Sequence, residues 1–306
     1  MAIASVRVRI KGEWHILDYN SATGKYEKTI TAPNVTSYNV NDGRYYPVTV
    51  EAINTAGTSA TENDLSPTIG SSLRLRVLEK IKPTINITSP GEGAFITNNK
   101  QPIVFQVRDE VNGSGVNIDS LVLKLNGGTY NKSSNGMSVA KVTNGYDCVY
   151  TPPNTLHDGK HKVTIDVNDN DGNAATQQSR NYTVDTVPPV LNVTQPENGF
   201  ITNQSTITIG GETNDATSSP VVVNIKVNGI DQGTISLVDG IFAKTVTLVN
   251  GVNTIVVTSK DMANRETTVT IKGTLDTTKP VIQNVTLTPN PVDTGKTLVI
   301  SVEVTG

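Results

Sequence analysis

The side chains of this chain that could bear chemistry are few: three histidines, a single cysteine, and loops rich in Asp and Asn. His15, His157 and His161 come with no Gly-x-Ser-x-Gly elbow, no His-Glu-x-x-His, no Gly-x-x-x-x-Gly-Lys-Ser/Thr and no Cys-x-x-Cys. The usual signatures of nucleophilic hydrolysis, zinc catalysis and phosphate cradling are therefore lacking. His157 and His161 are four apart, a spacing that presents two imidazoles to one metal on a helix, yet Asp158-Gly159 between them reads as a turn, so both are expected in solvent. A paired-carboxylate glycosidase needs two acids about 5 to 9.5 Å apart in a cleft, and nothing selects such a pair. No catalytic residue is expected, and the chain reads as a non-enzyme. Cys148, between Asp147 and Val149 in a strand-like run, reads as an inert buried thiol, and one cysteine allows no intrachain disulfide. Trp14, in an early strand, is expected to anchor the first core.

Calcium is the one cofactor to weigh, because hard cations need several oxygen ligands held together. The run Asp166-Val167-Asn168-Asp169-Asn170 resembles the Asp-x-Asn-Asp-Asn calcium motif of cadherin linkers, but Asp171-Gly172-Asn173 follows it where cadherins have Ala-Pro. As an EF-hand loop aligned on Gly172 it fails, with Val167 at the first ligand position and no Glu at the last. The favoured expectation is a polar turn and no cofactor, so that chelation leaves folding unchanged. Asp166, Asn168, Asp169, Asp171 and the linker acid Asp185 stand as the alternative calcium ligands, with Asp276 in the corresponding place of the next linker.

The elements that must position these residues are strands. Period-two alternation recurs, as in Val6-Arg7-Val8-Arg9-Ile10, Leu121-Val122-Leu123-Lys124-Leu125 and Val163-Thr164-Ile165-Asp166-Val167. Turn signals such as Asn126-Gly127, Asn228-Gly229 and Asp239-Gly240 separate the runs at hairpin spacing. Repetition marks the domains: Pro83-Thr84-Ile85-Asn86-Ile87-Thr88-Ser89-Pro90 matches Pro189-Val190-Leu191-Asn192-Val193-Thr194-Gln195-Pro196, each followed by Phe-Ile-Thr-Asn, and a third copy opens at Lys279-Pro280-Val281-Ile282. The expected fold is all-β, with tandem immunoglobulin-like sandwiches over residues 1–80, 81–186 and 187–276 in a rod, and a two-stranded tail over 277–306.

The closing hairpin Asp158-Gly159-Lys160-His161-Lys162-Val163-Thr164-Ile165-Asp166-Val167, ending in Asp171-Gly172-Asn173 and followed by the linker Val184-Asp185-Thr186-Val187-Pro188-Pro189, resembles bacterial Ig-like modules. Tyr46-Pro47-Val48-Thr49-Val50-Glu51-Ala52 in the first region resembles a fibronectin type III hairpin. The whole pattern is similar to Ig-like proteins encoded in the tail modules of phages and prophages of Gram-positive bacteria. That resemblance implies an accessory structural protein of a phage tail or related contractile particle, at a baseplate or neck. Its partners would be other virion proteins, in several copies, and its domains would touch the host envelope. The rival reading is a bacterial surface or carbohydrate-binding module.

A net charge of -3 gives no reason to expect nucleic acid as a partner. No run approaches the ~18 apolar residues of a membrane span. Met1-Ala2-Ile3-Ala4-Ser5-Val6-Arg7 lacks the pattern of a secretory signal, which points to synthesis in the host cytoplasm and location in the virion, with the cell surface as the alternative. In the tail, Leu298, Ile300, Val302 and Val304 fall on one face, and since two strands alone are marginal in water, either they dock on a neighbouring subunit or tail protein that completes the sheet by strand addition, or the tail folds back on the third sandwich or stays disordered.

Overall fold

The computed structural model describes residues 2–306 and divides into two units, Met1–Val184 and Asp185–Gly306. Apart from one four-residue 3-10 turn at Gly70–Leu73, the regular structure is strand.

Unit 1 begins with β1 (Ile3–Ile10), β2 (Glu13–Asn20), β3 (Lys25–Glu27), β4 (Tyr46–Asn54), β5 (Ser59–Glu62) and β6 (Arg74–Leu75). These form one sheet, ordered β3-β2-β1-β4-β5 with β6 beside β4, where two facing sheets were expected over residues 1–80. The reason lies in residues 28–45 and 63–73, whose Pro, Asn, Ser and Thr satisfy backbone groups with side chains instead of building a second ladder. Ser37 shows the device: its hydroxyl donates to the Arg44 carbonyl at 2.8 Å and accepts from the Val77 N–H at 3.1 Å.

Trp14 corrects a second expectation, being 39% exposed. Its register partner is Arg9, so strand parity sets it on the face of Arg7 and Arg9, opposite Val8 and Val50. No sheet covers that face, and the indole packs under the Arg7 guanidinium, 4.3 Å from ring centroid to Cζ.

The rest of unit 1 is a two-sheet sandwich made of β7 (Thr84–Ser89), β8 (Ala94–Ile96), β9 (Ile103–Arg108), β10 (Val116–Leu125), β11 (Gly128–Tyr130), β12 (Met137–Val142), β13 (Gly145–Tyr150), β14 (Gly159–Asp169) and β15 (Gln178–Val184). One sheet runs β11-β10-β14-β15-β8 and the other β12-β13-β9-β7. Alternate residues of β9, β10 and β14 (Ile103, Phe105, Val107; Leu121, Leu123, Leu125; Val163, Ile165, Val167) meet at 0–4% exposure, as the alternation predicts. Cys148 joins this core, where burial pushes its thiol up to about 11.

Unit 2 repeats the plan with β16 (Val190–Gln195), β17 (Phe200–Thr202), β18 (Thr206–Asn214), β19 (Val222–Val227), β20 (Ile230–Ile235), β21 (Ile241–Thr247), β22 (Gly251–Lys260) and β23 (Glu266–Leu275). Its sheets are β17-β23-β22-β19-β20 and β16-β18-β21. In both sandwiches a short strand pairs parallel with the last one, β8 with β15 and β17 with β23, while every other pairing is antiparallel. Asn126-Gly127 and Asn228-Gly229 both take positive φ, forming the two-residue turns that start β11 and β20. A hairpin of β24 (Val281–Thr288) and β25 (Val299–Thr305) ends the unit.

Candidate metal centres

Strand parity determines which acids of the Asp166–Asp171 run can meet others. Asp169 follows Val163, Ile165 and Val167 on the inward face of β14 and is 1% exposed. Asp166 and Asn168 lie on the opposite parity. Asp166 accepts two hydrogen bonds from the Gln177 amide at 2.8 and 2.9 Å, and Asn168 pairs with Asn117 in the ladder. The contiguous run therefore does not converge, and of its acids Asp169 alone reaches a cluster.

The acids beside Asp169 come from two other segments. Asp109 directly follows β9, and Glu79 lies in the lead-in ahead of β7. Carboxylate oxygens of Glu79, Asp109 and Asp169 lie within 4.8 Å of one another. Asp109 Oδ2 accepts the Gly115 N–H at 2.7 Å, and Glu79 Oε1 accepts the Ser114 N–H. Asp109 Oδ1, Glu79 Oε2 and Glu110 Oε2 are buried without a partner. Burial, reinforced by Glu79 and Asp109, pushes the Glu110 carboxyl up to about 8, and burial also raises Asp109. Asp171 serves the lead-in instead: its Oδ2 accepts the Glu79 N–H at 3.1 Å and the Thr36 hydroxyl.

Unit 2 holds an equivalent cluster. Glu79 and Asp185 each precede by four residues the repeated prolines Pro83 and Pro189; Asp109 and Asp215 directly follow β9 and β18; Asp169 ends β14 and Asp261 directly follows β22. Oxygens of Asp185, Asp215 and Asp261 lie within 4.8 Å of one another, at 0%, 8% and 5% exposure. The Ser218 hydroxyl donates to Asp185 Oδ2, and Asp215 Oδ1 accepts the N–H groups of Thr217 and Ser218 at 2.8 and 2.7 Å. Asp261 Oδ1 accepts the Arg265 N–H at 2.9 Å, while its Oδ2 is buried without a partner. The hairpin after β14 is built likewise, Asp169 Oδ1 accepting the Asn173 N–H at 2.8 Å. Asp276, in the next linker, is exposed and accepts the Thr278 N–H, which holds its carboxyl below the usual range.

Among the described residues the ion pairs are Arg7–Glu51, Arg108–Asp147, Lys132–Asp119 and Lys260–Glu266, so no basic side chain neutralises either cluster. Two like charges about 4.8 Å apart repel by on the order of 3 kcal/mol at an effective dielectric of about 20. Such a trio is stable only if it shares a proton or holds a cation. Glu79, Asp109, Glu110, Asp215 and Asp261 were not singled out from sequence. The signal that could have found them is the repeat, which brings Glu79 and Asp109 onto Asp185 and Asp215.

His161 differs from expectation. It is 2% exposed, because its parity is that of Val163 and Ile165. Its Nε2 donates to the His157 carbonyl at 2.8 Å and its Nδ1 accepts from the Asn126 amide at 2.6 Å, while burial lowers its pKa. His157 is exposed, as expected. Of the docking residues, Leu298 is 40% exposed, Ile300 63%, Val302 52% and Val304 53%. Ile300, Val302 and Val304 lie opposite Leu287, Val285 and Ile282, so the apolar face of β24–β25 is uncovered.

Residues 86–186 match the family model of the bacterial Ig-like domain, and residues 189–277 that of glucodextranase, domain B. No curated protein matches the sequence. Among solved structures, the fibronectin(III)-like modules of Clostridium thermocellum CbhA share 14% identity at a TM-score of 0.37, over 63% of this chain and 94% of that one. Rst D1-D2 shares 13% at a TM-score of 0.38, over 63% and 99%. Bacteroides ovatus SGBP-B, solved with a mixed-linkage heptasaccharide, shares 13% at a TM-score of 0.22, over 94% and 66%. Among the described residues no helix is long and apolar enough to cross a membrane. The chain is thus an all-β protein with tandem β-sandwiches, the first of which is similar to the bacterial Ig-like domain over residues 86–186.

Proposed function

We propose that the chain is a non-catalytic structural component of a larger particle, a phage tail or related contractile assembly, in which its sandwiches extend the structure and meet other particle proteins. The observation that carries this reading is serial repetition: two sandwiches of one strand plan, then a hairpin that opens on the same register. Val281 lies opposite Thr305 as Val190 lies opposite Asn214. In unit 2 the sheet holding that opening pair is covered by the five-stranded sheet. The uncovered face of β24–β25 therefore fits a facing β-sheet of a neighbouring particle protein. Deleting residues 279–306 is expected to leave the melting of both sandwiches unchanged and to abolish incorporation into purified particles, read by mass spectrometry. Normal incorporation would overturn the docking role, and absence of the full chain from such particles would overturn the particle reading.

A second reading, an envelope- or carbohydrate-binding module located at the bacterial surface, is supported by the match of residues 189–277 to glucodextranase, domain B. Retention of the full chain on glucan or cell-wall polysaccharide, competed by soluble oligosaccharide, tests it.

A further inference from the structure

We propose that each acid cluster is a calcium site, formed by Glu79, Asp109, Asp169 and Glu110 in unit 1 and by Asp185, Asp215 and Asp261 in unit 2, and that the ion ties the lead-in segment to the sandwich that follows it. Three observations carry this beyond the structural reading above.

The first is the convergence of three separate segments. Oxygens bound to one calcium at 2.3–2.6 Å lie at most about 5 Å apart, and both trios fall within 4.8 Å. The second is the state of the carboxylates themselves. Asp261 is 5% exposed and Asp109 7%, each with one oxygen held by a backbone N–H and the other buried with no partner. Burying a charged oxygen without a partner is costly, so its occurrence in the acid cluster of each sandwich, at Asp109 in one and Asp261 in the other, points to a common cationic ligand. Lys260, next to Asp261, pairs with Glu266, and Arg265 directs its Nε to the Asp185 carbonyl at 3.2 Å, not to a carboxylate. The third is the chemistry of the donors. Both sets are all oxygen, which suits a hard cation and not zinc. Carboxylates from loops of unequal length, with a serine hydroxyl hydrogen-bonded to one of them in unit 2, suit the loose six- to eight-fold shell of calcium better than the strict octahedron of magnesium.

The role follows from where the ligands sit. In each site one ligand, Glu79 or Asp185, belongs to the chain entering the sandwich and the others to the sandwich itself, so binding removes the lead-in's freedom. In unit 1 that lead-in includes Lys80 and Lys82, both exposed.

The test uses the full chain, freed of metal by chelation and titrated with calcium chloride by calorimetry. Two calcium ions per chain are expected, one lost in Asp261→Asn and the other in Asp109→Asn, with magnesium at equal concentration displacing neither. Calcium should also slow tryptic cleavage after Lys80 at least tenfold, an effect lost in Asp109→Asn and kept in Asp261→Asn. That pattern separates a bound ion from a folding defect, because each variant is the other's control. Absence of binding heat, or binding that survives both substitutions, would overturn the proposal. A stoichiometry of one removed only by Asp261→Asn would overturn the unit 1 site and uphold that of unit 2.

Discussion

The two acid clusters share positions but not composition. Unit 2 uses three aspartates, with Asp185 fully buried and Ser218 bonded to both it and Asp215. Unit 1 has the longer Glu79 as its lead-in acid and a fourth carboxyl, Glu110, where unit 2 has Ala216 after Asp215. The difference teaches that one strand plan can hold the same charge problem in two ways. Glu110, which burial pushes up to about 8, can hold a proton beside Glu79 and Asp109 when no cation is bound, whereas unit 2 has no fourth carboxyl to do so. Unit 2 should therefore depend more on a cation.

The largest expected effects test whether the sandwiches around the clusters are independent. Phe105→Ala and Phe242→Ala, at 0% and 1% exposure, should each cost about 3–5 kcal/mol and lower the melting of their own unit only, as resolved by calorimetry. A common shift would make the two units one cooperative block.

A smaller effect sharpens the cluster comparison directly. In chelator, Asp261→Asn should stabilise unit 2 by about 1–3 kcal/mol, since the amide removes one charge from the trio and can donate to Asp185 or Asp215. In calcium the same change should be destabilising, because the wild type gains about 2.7 kcal/mol once calcium reaches 100 times its Kd. Opposite signs in the two conditions are the outcome to look for; the same sign in both would deny unit 2 its dependence on a cation.

His161 gives unit 1 a pH dependence that unit 2 lacks, because Asn253 holds the corresponding buried position near the start of β22. Its folded pKa lies below the ordinary 6.5, so its contribution is fully present above 6.5 and is lost as pH falls below that value. The melting of unit 1 should therefore drop in mild acid, and His161→Asn should flatten that drop while leaving the profile of unit 2 as it was.

The smallest effect concerns the single sheet of the first region. Trp14→Ala should cost only about 1 kcal/mol, the scale of an exposed cation–π contact, and Trp fluorescence should be readily quenched. A loss of 3–5 kcal/mol would mean that the Trp14 face is covered in solution.

Much of this was legible in the sequence because it is local. Alternation alone placed Leu121, Leu123 and Ile165 inside, Asn-Gly pairs marked the hairpin turns, and the repeated Pro83 and Pro189 segments marked where sandwiches begin, since side-chain direction in a strand depends only on parity. The tail strands Val281–Thr288 and Val299–Thr305 were read for the same reason. What the tertiary structure decided was whatever needs distant segments to meet. The calcium alternative was sought in one contiguous run, but parity turned Asp166 and Asn168 away, and the partners of Asp169 proved to be Glu79 and Asp109. The same is true of Trp14 and His161, whose parity was visible but whose burial depended on whether a second sheet faced them: none does at Trp14, and one does at His161.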